Sequence, residues 1–273
     1  MPLADEFDGL LVDLDGVVWV GGEPIPGAAD ALTALLGAGV EIVFVTNNPG
    51  RPAAAYAERL RGMGVAVAGD RVVTAGAATA RLAAERVGAG RTAFAIGAGA
   101  FRDEATRAGL ETLDGEDGRR ADAVLVSGHR GFDYEELLTA TLALQRGAAL
   151  FATSRDPNLP MPGGAWPGTG AILAAVETAS GKTAEIGGKP ERHLFELALK
   201  SIRGSLETHD VSKEPRTQRV AIVGDRIASD IEGGRRAGLE TILVLSGATS
   251  REEADRADPP PDHVLDEIAG LLR

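Results

Sequence analysis

Charged side chains stand at the ends of apolar segments and in a glycine-rich turn of this 273-residue sequence. Asp13 and Asp15 end the segment "GLLVDLD", Asp225 ends "RVAIVGD", and Lys189 lies in "GGKP". Carboxylates without histidine or cysteine form a hard oxygen site, which suits Mg²⁺ with several retained waters. A flexible lysine ammonium beside such a site could neutralise an anion. The residue types therefore indicate metal-assisted chemistry on a phosphoryl group.

The two acids of "DLD" could divide the chemistry between them. One carboxylate can attack phosphorus and form an aspartyl-phosphate, while a second protonates the leaving oxygen and later deprotonates water. General acid–base catalysis supplies roughly 10² to 10⁴-fold, whereas accelerations of phosphate-monoester hydrolysis reach on the order of 10²¹-fold. Charges and donors that hold the phosphoryl group must therefore supply most of the stabilisation.

Alternating strands and helices position these residues. Ala-rich stretches predict helices at 28–37, 52–61 and 133–146. Runs rich in Val, Ile and Leu predict strands at "GLLVDLD", "VEIVFVT", "TAFAI", "ADAVLVS", "RVAIVGD" and "TILVLS". The alternation predicts an α/β fold with a Rossmann-like parallel sheet. Ligands bind at the carboxyl ends of strands in such sheets, so the polar residues that follow the strands are expected to converge.

Composition excludes several classes of function. A formal net charge of −12 disfavours broad contact with nucleic acid or an anionic membrane. No apolar run approaches the ~18 residues of a membrane span, and "MPLADEF" lacks the regions of a signal peptide, so a cytoplasmic location is predicted. The absence of cysteine excludes a thiolate nucleophile, and the spacing of the four histidines argues against zinc.

Three glycine-containing motifs do not meet the requirements for nucleotide binding. In "IGAGAFRDE", Arg102 occupies the third glycine position of a dinucleotide fingerprint. In "GGAWPGTG", Thr169 replaces the lysine of a P-loop, and before "SGKT" Val176 stands where the first glycine is required. Binding of NAD or a nucleoside triphosphate is therefore rejected.

Four motifs, in order, carry a family resemblance. The segments "DLDGV", "TNN", "GKP" and "GDRIASD" resemble the motifs of the haloacid dehalogenase (HAD) superfamily, and the resemblance covers nearly the whole chain. "DGVVW" and "TNNPG" resemble its nitrophenylphosphatase-like and NagD-like subfamily, class IIA. The resemblance implies a Mg²⁺-dependent phosphatase in which Asp13 is the nucleophile and Asp15 the general acid/base.

The resemblance also implies roles for the other polar residues. The metal ligands would be Asp13, Asp225 and the backbone carbonyl of Asp15, and Asp230 would orient them from a second layer. The residues that would bind the phosphoryl group or substrate are Thr46, Asn47, Asn48 and Lys189.

An inserted domain accounts for the long segment between "TNNPG" and "GGKP", which spans residues 51 to 186. We predict a catalytic core at 1–75 plus 185–273 and an α/β cap domain of the C2 type at 76–184.

The Pro- and Gly-rich stretch 154–170 is predicted to be one functional loop. Its start, "TSRDPNLP", resembles a cap segment that faces substrate, although Thr153-Ser154 stands where the family has Thr-Asn. Candidate specificity residues are Arg155, Asp156 and Trp166, of which Arg155 and Trp166 could instead only pack the loop.

The predicted reaction is hydrolysis of a small phosphate monoester through an aspartyl-phosphate. The sequence leaves glycerol 3-phosphate, phosphoglycolate, a sugar phosphate, a nucleoside monophosphate and pyridoxal phosphate open as substrates. Two other functions also stay open: phosphoryl transfer to an alcohol, as in a mutase, and phosphometabolite binding without catalysis. A homodimer formed through the cap is a further open point.

Overall fold

The computed structural model describes residues 1–48, 50–161, 164–209 and 219–273, without the side chains of residues 160, 161 and 205–209. The chain divides into two compact units. The first comprises Met1–Thr46, Ala53–Val73 and Pro190–Arg273, and the second comprises Asn47–Pro52 and Thr74–Lys189. The sequence predicted the division after residues 75 and 184, a few residues from these bounds, and did not assign the segment 47–52 to the inserted unit.

Three stretches of chain supply the helices and strands. The first contains β1 (Gly9–Asp13), β2 (Trp19–Val20), β3 (Glu23–Pro24), α1 (Ala28–Gly37), β4 (Glu41–Thr46), α2 (Ala53–Gly62) and β5 (Val72–Thr74). The second contains α3 (Ala75–Val87), β6 (Thr92–Ile96), α4 (Gly99–Arg107), β7 (Glu111–Leu113), β8 (Ala123–Val126), α5 (Tyr134–Gln145), β9 (Ala149–Ala152), β10 (Asn158–Met161), β11 (Gly164–Pro167), α6 (Thr169–Ser180) and β12 (Glu185–Ile186).

The third stretch contains α7 (Arg192–His209), β13 (Val220–Gly224), α8 (Glu232–Arg236), β14 (Glu240–Val244), α9 (Arg251–Asp255) and β15 (His263–Leu265). A π-helical turn, Ile227–Ile231, precedes α8. Short 3₁₀ helices lie at Leu3–Glu6, Gly69–Arg71, Gly115–Arg120 and Ile268–Leu272.

The sheet of the first unit has the strand order β15-β14-β13-β1-β4-β5. Its central strand β1 is buried along its whole length and pairs in parallel with β13 and β4. Such a continuous apolar run is typical of a parallel strand that is covered on both faces. The predicted α/β parallel sheet is confirmed. This order brings the carboxyl ends of β1, β4 and β13 side by side.

The second unit has its own sheet, with the order β12-β9-β8-β6-β7 and parallel pairing between all neighbours. Two apolar clusters pack against it: one includes Val124 and Leu173, the other Leu82 and Phe101. This unit is therefore a second α/β layer structure with a core of its own.

A hairpin corrects the prediction of one irregular loop at 154–170. β10 and β11 pair antiparallel, with Leu159 opposite Trp166. Proline and glycine within these short strands hide the alternating pattern from which strands are recognised, because both residues are typical of loops and of edge strands.

The same carboxylate arrangement joins neighbouring strands in both sheets. Asp122, before β8, accepts hydrogen bonds from the backbone N–H (2.9 Å) and hydroxyl (2.8 Å) of Thr92, the first residue of β6. Asp262, before β15, accepts the corresponding two bonds from Thr241 on β14, at 2.9 and 2.7 Å. The Thr92 backbone N–H is the main cause that lowers the pKa of Asp122. Both carboxylates thus stabilise their sheets in the ionised form.

Within the described ranges, no helix combines the length and apolar character that crossing a bilayer requires.

Candidate active site

The carboxyl ends of three adjacent strands carry buried polar residues of the predicted site. Asp13 is the last residue of β1, Thr46 the last of β4, and Asp225 directly follows β13. All three are at least nine-tenths buried. Because β1 pairs with both neighbouring strands, the topology brings together residues far apart in sequence, as predicted for a sheet of this type.

Asp13, Asp225 and Asp230 form a carboxylate cluster. Each offers one oxygen, and these oxygens all lie within 4.8 Å of one another. Buried carboxylates this close repel one another when ionised, and a bound cation removes that repulsion. Two oxygens on one Mg²⁺ lie at most about 4.2 Å apart, since Mg–O distances are 2.0–2.1 Å. The all-oxygen donor set, gathered within 4.8 Å, therefore suits Mg²⁺.

Backbone contacts hold Asp225 in this cluster. Its Oδ2 accepts a hydrogen bond from the Ala248 N–H at 2.7 Å. Two glycines approach so closely that a Cβ would lie 2.2 Å from this oxygen at Gly16 and 2.1 Å at Gly247. Gly16 also has φ +90°, which disfavours a side chain there. Gly247 was missed in the sequence analysis, although its position just after the "TILVLS" strand was a usable signal.

Asp230 lies in the π-helical turn Ile227–Ile231 and is fully buried. Its Oδ2 accepts hydrogen bonds from the Arg226 N–H at 3.0 Å and from the Ser229 hydroxyl at 3.3 Å. A Cβ at Gly224 would lie 2.2 Å from the Asp230 Cβ. The turn after β13 therefore fixes Asp230 next to the other two acids. Its predicted role as an orienting residue stays a prediction.

Asp15 has a different environment from Asp13. Its side chain is exposed, and its Oδ1 accepts a hydrogen bond from the indole N–H of Trp19 at 3.0 Å. Among the described residues, the carboxylate cluster comprises Asp13, Asp225 and Asp230, without Asp15. The two acids of "DLD" are thus separated into a buried cluster and an exposed, singly hydrogen-bonded position. The motif "DGVVW" contains both residues, but its pattern does not predict their contact.

In the second unit, Asn47 and Lys189 hold each other through two hydrogen bonds. The Asn47 side-chain amide donates to the Lys189 carbonyl at 2.9 Å, and its Oδ1 accepts from the Lys189 N–H at 2.8 Å. Lys189 is 4% exposed. A Cβ at Gly188 would lie 2.6 Å from the Asn47 Oδ1, so this glycine permits the pairing. The Oδ1 of Asn48 instead accepts a hydrogen bond from the Gly50 N–H at 3.1 Å, within the local turn.

Comparison with known proteins identifies the family. Residues 10–111 match the family model described as haloacid dehalogenase-like hydrolase, and residues 186–271 match the HAD-hydrolase-like model. An acid sugar phosphatase of Staphylococcus saprophyticus is 32% identical over 98% of this chain and 97% of its own length. The chain belongs to the haloacid dehalogenase-like hydrolases.

Solved structures of HAD-like hydrolases match over almost the full chain. A glycerol phosphate phosphatase from Mycobacterium tuberculosis in complex with magnesium has a TM-score of 0.87 and 32% identity, over 100% of this chain and 78% of that one. NagD from Escherichia coli has a TM-score of 0.83 and 29% identity, over 96% and 97% of the two chains. The predicted family, its NagD-like subfamily and the phosphatase class of enzyme are confirmed.

The specificity residues proposed for this HAD-like hydrolase are partly engaged elsewhere. The Arg155 guanidinium donates to both carboxylate oxygens of Glu177 on α6, at 3.0 and 2.9 Å, and lowers the pKa of that carboxyl group. This geometry supports the alternative that Arg155 braces the loop. Asp156 is exposed, and Trp166 is 38% exposed with the Arg130 guanidinium 4.2 Å from its ring centroid.

Proposed function

We propose that this chain hydrolyses small phosphate monoesters through an aspartyl-phosphate on Asp13, with Mg²⁺ as its cofactor. The observation that carries the proposal is the separation of two acids from one motif. Asp13 lies in the buried carboxylate cluster with Asp225 and Asp230, whereas Asp15 is exposed with one oxygen hydrogen-bonded. A nucleophile and an acid/base have different tasks, and two carboxylates in different environments can divide them.

The reaction proceeds in two balanced steps. In the first, an oxygen of Asp13 attacks phosphorus, the bond from phosphorus to the leaving oxygen breaks, and the Asp15 carboxyl group gives its proton to that oxygen. In the second, the Asp15 carboxylate takes a proton from water, the water oxygen attacks phosphorus, and the bond to Asp13 breaks. Inorganic phosphate and the regenerated carboxylate are the products.

The remaining motif residues supply charge and donors. Asp13, Asp225 and the backbone carbonyl of Asp15 would hold Mg²⁺, and Asp230 orients the cluster through the turn after β13. Bound Mg²⁺ offsets the charge of the carboxylates and the phosphoryl oxygens. The motifs assign the contacts with the phosphoryl oxygens to Thr46, Asn47, Asn48 and Lys189, and the buried, backbone-fixed position of Lys189 supports its assignment.

The need for a general acid at Asp15 depends on the leaving group and so bears on the class of substrate. Nitrophenolate leaves without much protonation, whereas an alkoxide requires a proton as it departs. An acid at Asp15 therefore favours alkyl phosphates such as polyol and sugar phosphates. The names of two relatives, a glycerol phosphate phosphatase and an acid sugar phosphatase, support this class.

The test is release of inorganic phosphate from p-nitrophenyl phosphate, glycerol 3-phosphate, phosphoglycolate and sugar phosphates with Mg²⁺, ranked by kcat/KM. We expect p-nitrophenyl phosphate, which has a good leaving group, to be hydrolysed. Among the alkyl phosphates we expect kcat/KM to be higher for some esters than for others. Transfer of the phosphoryl group to an added alcohol instead of water would indicate a transferase. Binding of the same esters without turnover would indicate a non-catalytic binding protein.

A further inference from the structure

We propose that Trp19 is a positioning residue that sets the Asp15 carboxyl group for proton transfer to the leaving oxygen. The inference rests on the proposed function of Asp15. The indole N–H of Trp19 donates to the Asp15 Oδ1 at 3.0 Å. The two residues are also joined through the backbone, since they form an isolated bridge and the Gly16 N–H donates to the Trp19 carbonyl at 2.7 Å.

Two side chains of α2 contact the indole ring. Trp19 is 1% exposed, and its ring stacks on that of Tyr56 with an interplanar angle of 8° and 6.4 Å between centroids. The Arg59 guanidinium lies 3.9 Å from the Trp19 ring centroid and also donates to the carbonyl of Gly22, between β2 and β3. Both partners come from α2. These contacts restrict movement of the buried indole, and its N–H donates to the exposed carboxyl group of Asp15.

This hydrogen bond makes the two oxygens of Asp15 different. Indole nitrogen is a donor only, so the Oδ1 that it contacts must accept. The acidic proton is then placed on Oδ2, which is the oxygen that can donate to a leaving group. The contact also restricts rotation of an otherwise exposed carboxyl group. Because misplacement by 1 Å can cost 10²-fold in rate, loss of this contact is expected to slow proton transfer.

The test removes the donor and keeps the ring. In Trp19→Phe an aromatic ring is retained, but the N–H and part of the stacking surface are lost. Replacing Trp19 with 3-benzothienylalanine, in which sulfur takes the place of the N–H, preserves the indole shape as well. For both variants we expect kcat/KM with glycerol 3-phosphate to fall about 10- to 100-fold and kcat/KM with p-nitrophenyl phosphate to fall less than about 3-fold, because kcat/KM covers the steps up to departure of the leaving group. The value of kcat does not distinguish the substrates in this way, since Asp15 also takes the proton from water in the hydrolysis step that both substrates share.

A variant with a purely structural defect provides the matched control. Leu35→Ala opens a cavity at a buried leucine of α1 and should reduce turnover of both substrates by similar factors, if at all. Equal losses on the two substrates in both Trp19 variants would overturn the positioning role.

Asp15→Asn separates this inference from the function on which it rests. If Asp15→Asn lowers kcat/KM selectively for glycerol 3-phosphate and the Trp19 variants do not, Asp15 keeps its role and the positioning role is wrong. If the loss of kcat/KM in Asp15→Asn does not depend on the leaving group, the proposed role of Asp15 as the acid fails, and the inference about Trp19 fails with it. Selective losses in all three variants support the inference.

Discussion

Replacement of Gly247 by alanine should weaken metal binding although no proposed metal ligand is substituted. The new Cβ would lie 2.1 Å from the Asp225 Oδ2 and 2.5 Å from the Asp225 Cβ, while real contacts do not fall below 3.0 Å. The carboxylate must therefore move by roughly 0.9 Å, and its 2.7 Å bond from the Ala248 N–H would be lost. Gly247 does not have a positive φ, so alanine is compatible with the backbone and the contact alone is tested.

The expected magnitude follows from the strict geometry of Mg²⁺. Its ligands lie at 2.0–2.1 Å in a nearly ideal octahedron, which a displacement of this size disrupts. Changes to groups that orient metal ligands typically cost about 10- to 100-fold in metal affinity or activity. We expect the Mg²⁺ concentration for half-maximal hydrolysis of p-nitrophenyl phosphate to rise by that factor. The increase in Tm on adding Mg²⁺ without substrate should shrink accordingly.

Gly37→Ala is the matched control for this experiment. It lies at the end of α1, and a Cβ there would meet nothing within 4 Å. Its metal dependence should equal that of the wild type, with unchanged or slightly higher stability. A Gly247→Ala protein with wild-type kcat and half-maximal Mg²⁺ concentration would refute the assignment of Asp225 as a metal ligand held by this contact.

Other predictions concern the nucleophile, the metal, the loop and the dependence of stability on pH. Asp13→Asn should lower kcat by several orders of magnitude and form no phosphoenzyme in rapid-quench experiments; retention of more than a few per cent would exclude it as nucleophile. EDTA should abolish turnover and Mg²⁺ restore it, so full activity after exhaustive chelation would contradict the metal assignment. Arg155→Ala should lower Tm and reduce kcat/KM by similar factors for all esters, because its guanidinium binds Glu177, whereas a selective loss on one ester would restore a direct role in specificity. Because hydrogen bonds lower the pKa of Asp122, its contribution to the free energy of unfolding should be present above about pH 4 and lost as the pH falls through its lowered pKa, so Asp122→Asn should flatten the acid limb of a Tm-versus-pH curve.

Elements with long local patterns could be predicted from the sequence. β1, β4 and β13 are rich in apolar residues and have a polar residue at, or directly after, their last position, and each lies within its predicted segment. α1 spans Ala28–Gly37, the range predicted from its Ala-rich composition. These features are local because burial on both faces of a sheet demands apolar residues at every position. The local sequence pattern was therefore sufficient to predict the fold class and the edge of the sheet at which the acids lie.

Short elements could not be predicted, because their existence depends on partners elsewhere in the chain. β12 has two residues and forms by pairing with β9, and β15 has three and forms by pairing with β14. Segments of this length carry too little periodicity to distinguish a strand from a loop. The same limit applies to β2 and β3, whose pairing places Trp19 opposite Pro24.

The supports of the site were missed for a related reason. Carboxylates can be recognised as candidate site residues from their residue type. The residues that hold them are glycines, a serine and a tryptophan, whose types do not indicate this role. The Ser246 hydroxyl donates to the Gly16 carbonyl at 2.8 Å, across 230 positions of sequence. Gly247, one residue later, reads locally as a turn former, and only the approach of the loop after β14 to Asp225 shows why a side chain is excluded.

The spacing of "DLD" shows how the end of a strand gives two nearby acids different environments. Within a strand, residues two apart point to the same face, so a continued β1 would place Asp15 beside Asp13. β1 instead ends at Asp13, and the Leu14 carbonyl accepts hydrogen bonds from the N–H groups of Val18 at 2.9 Å and Trp19 at 3.3 Å. This tight turn takes Asp15 away from the carboxylate cluster and brings it to the Trp19 indole. Two acids that were indistinguishable by type thus acquire different environments, because the strand stops between them.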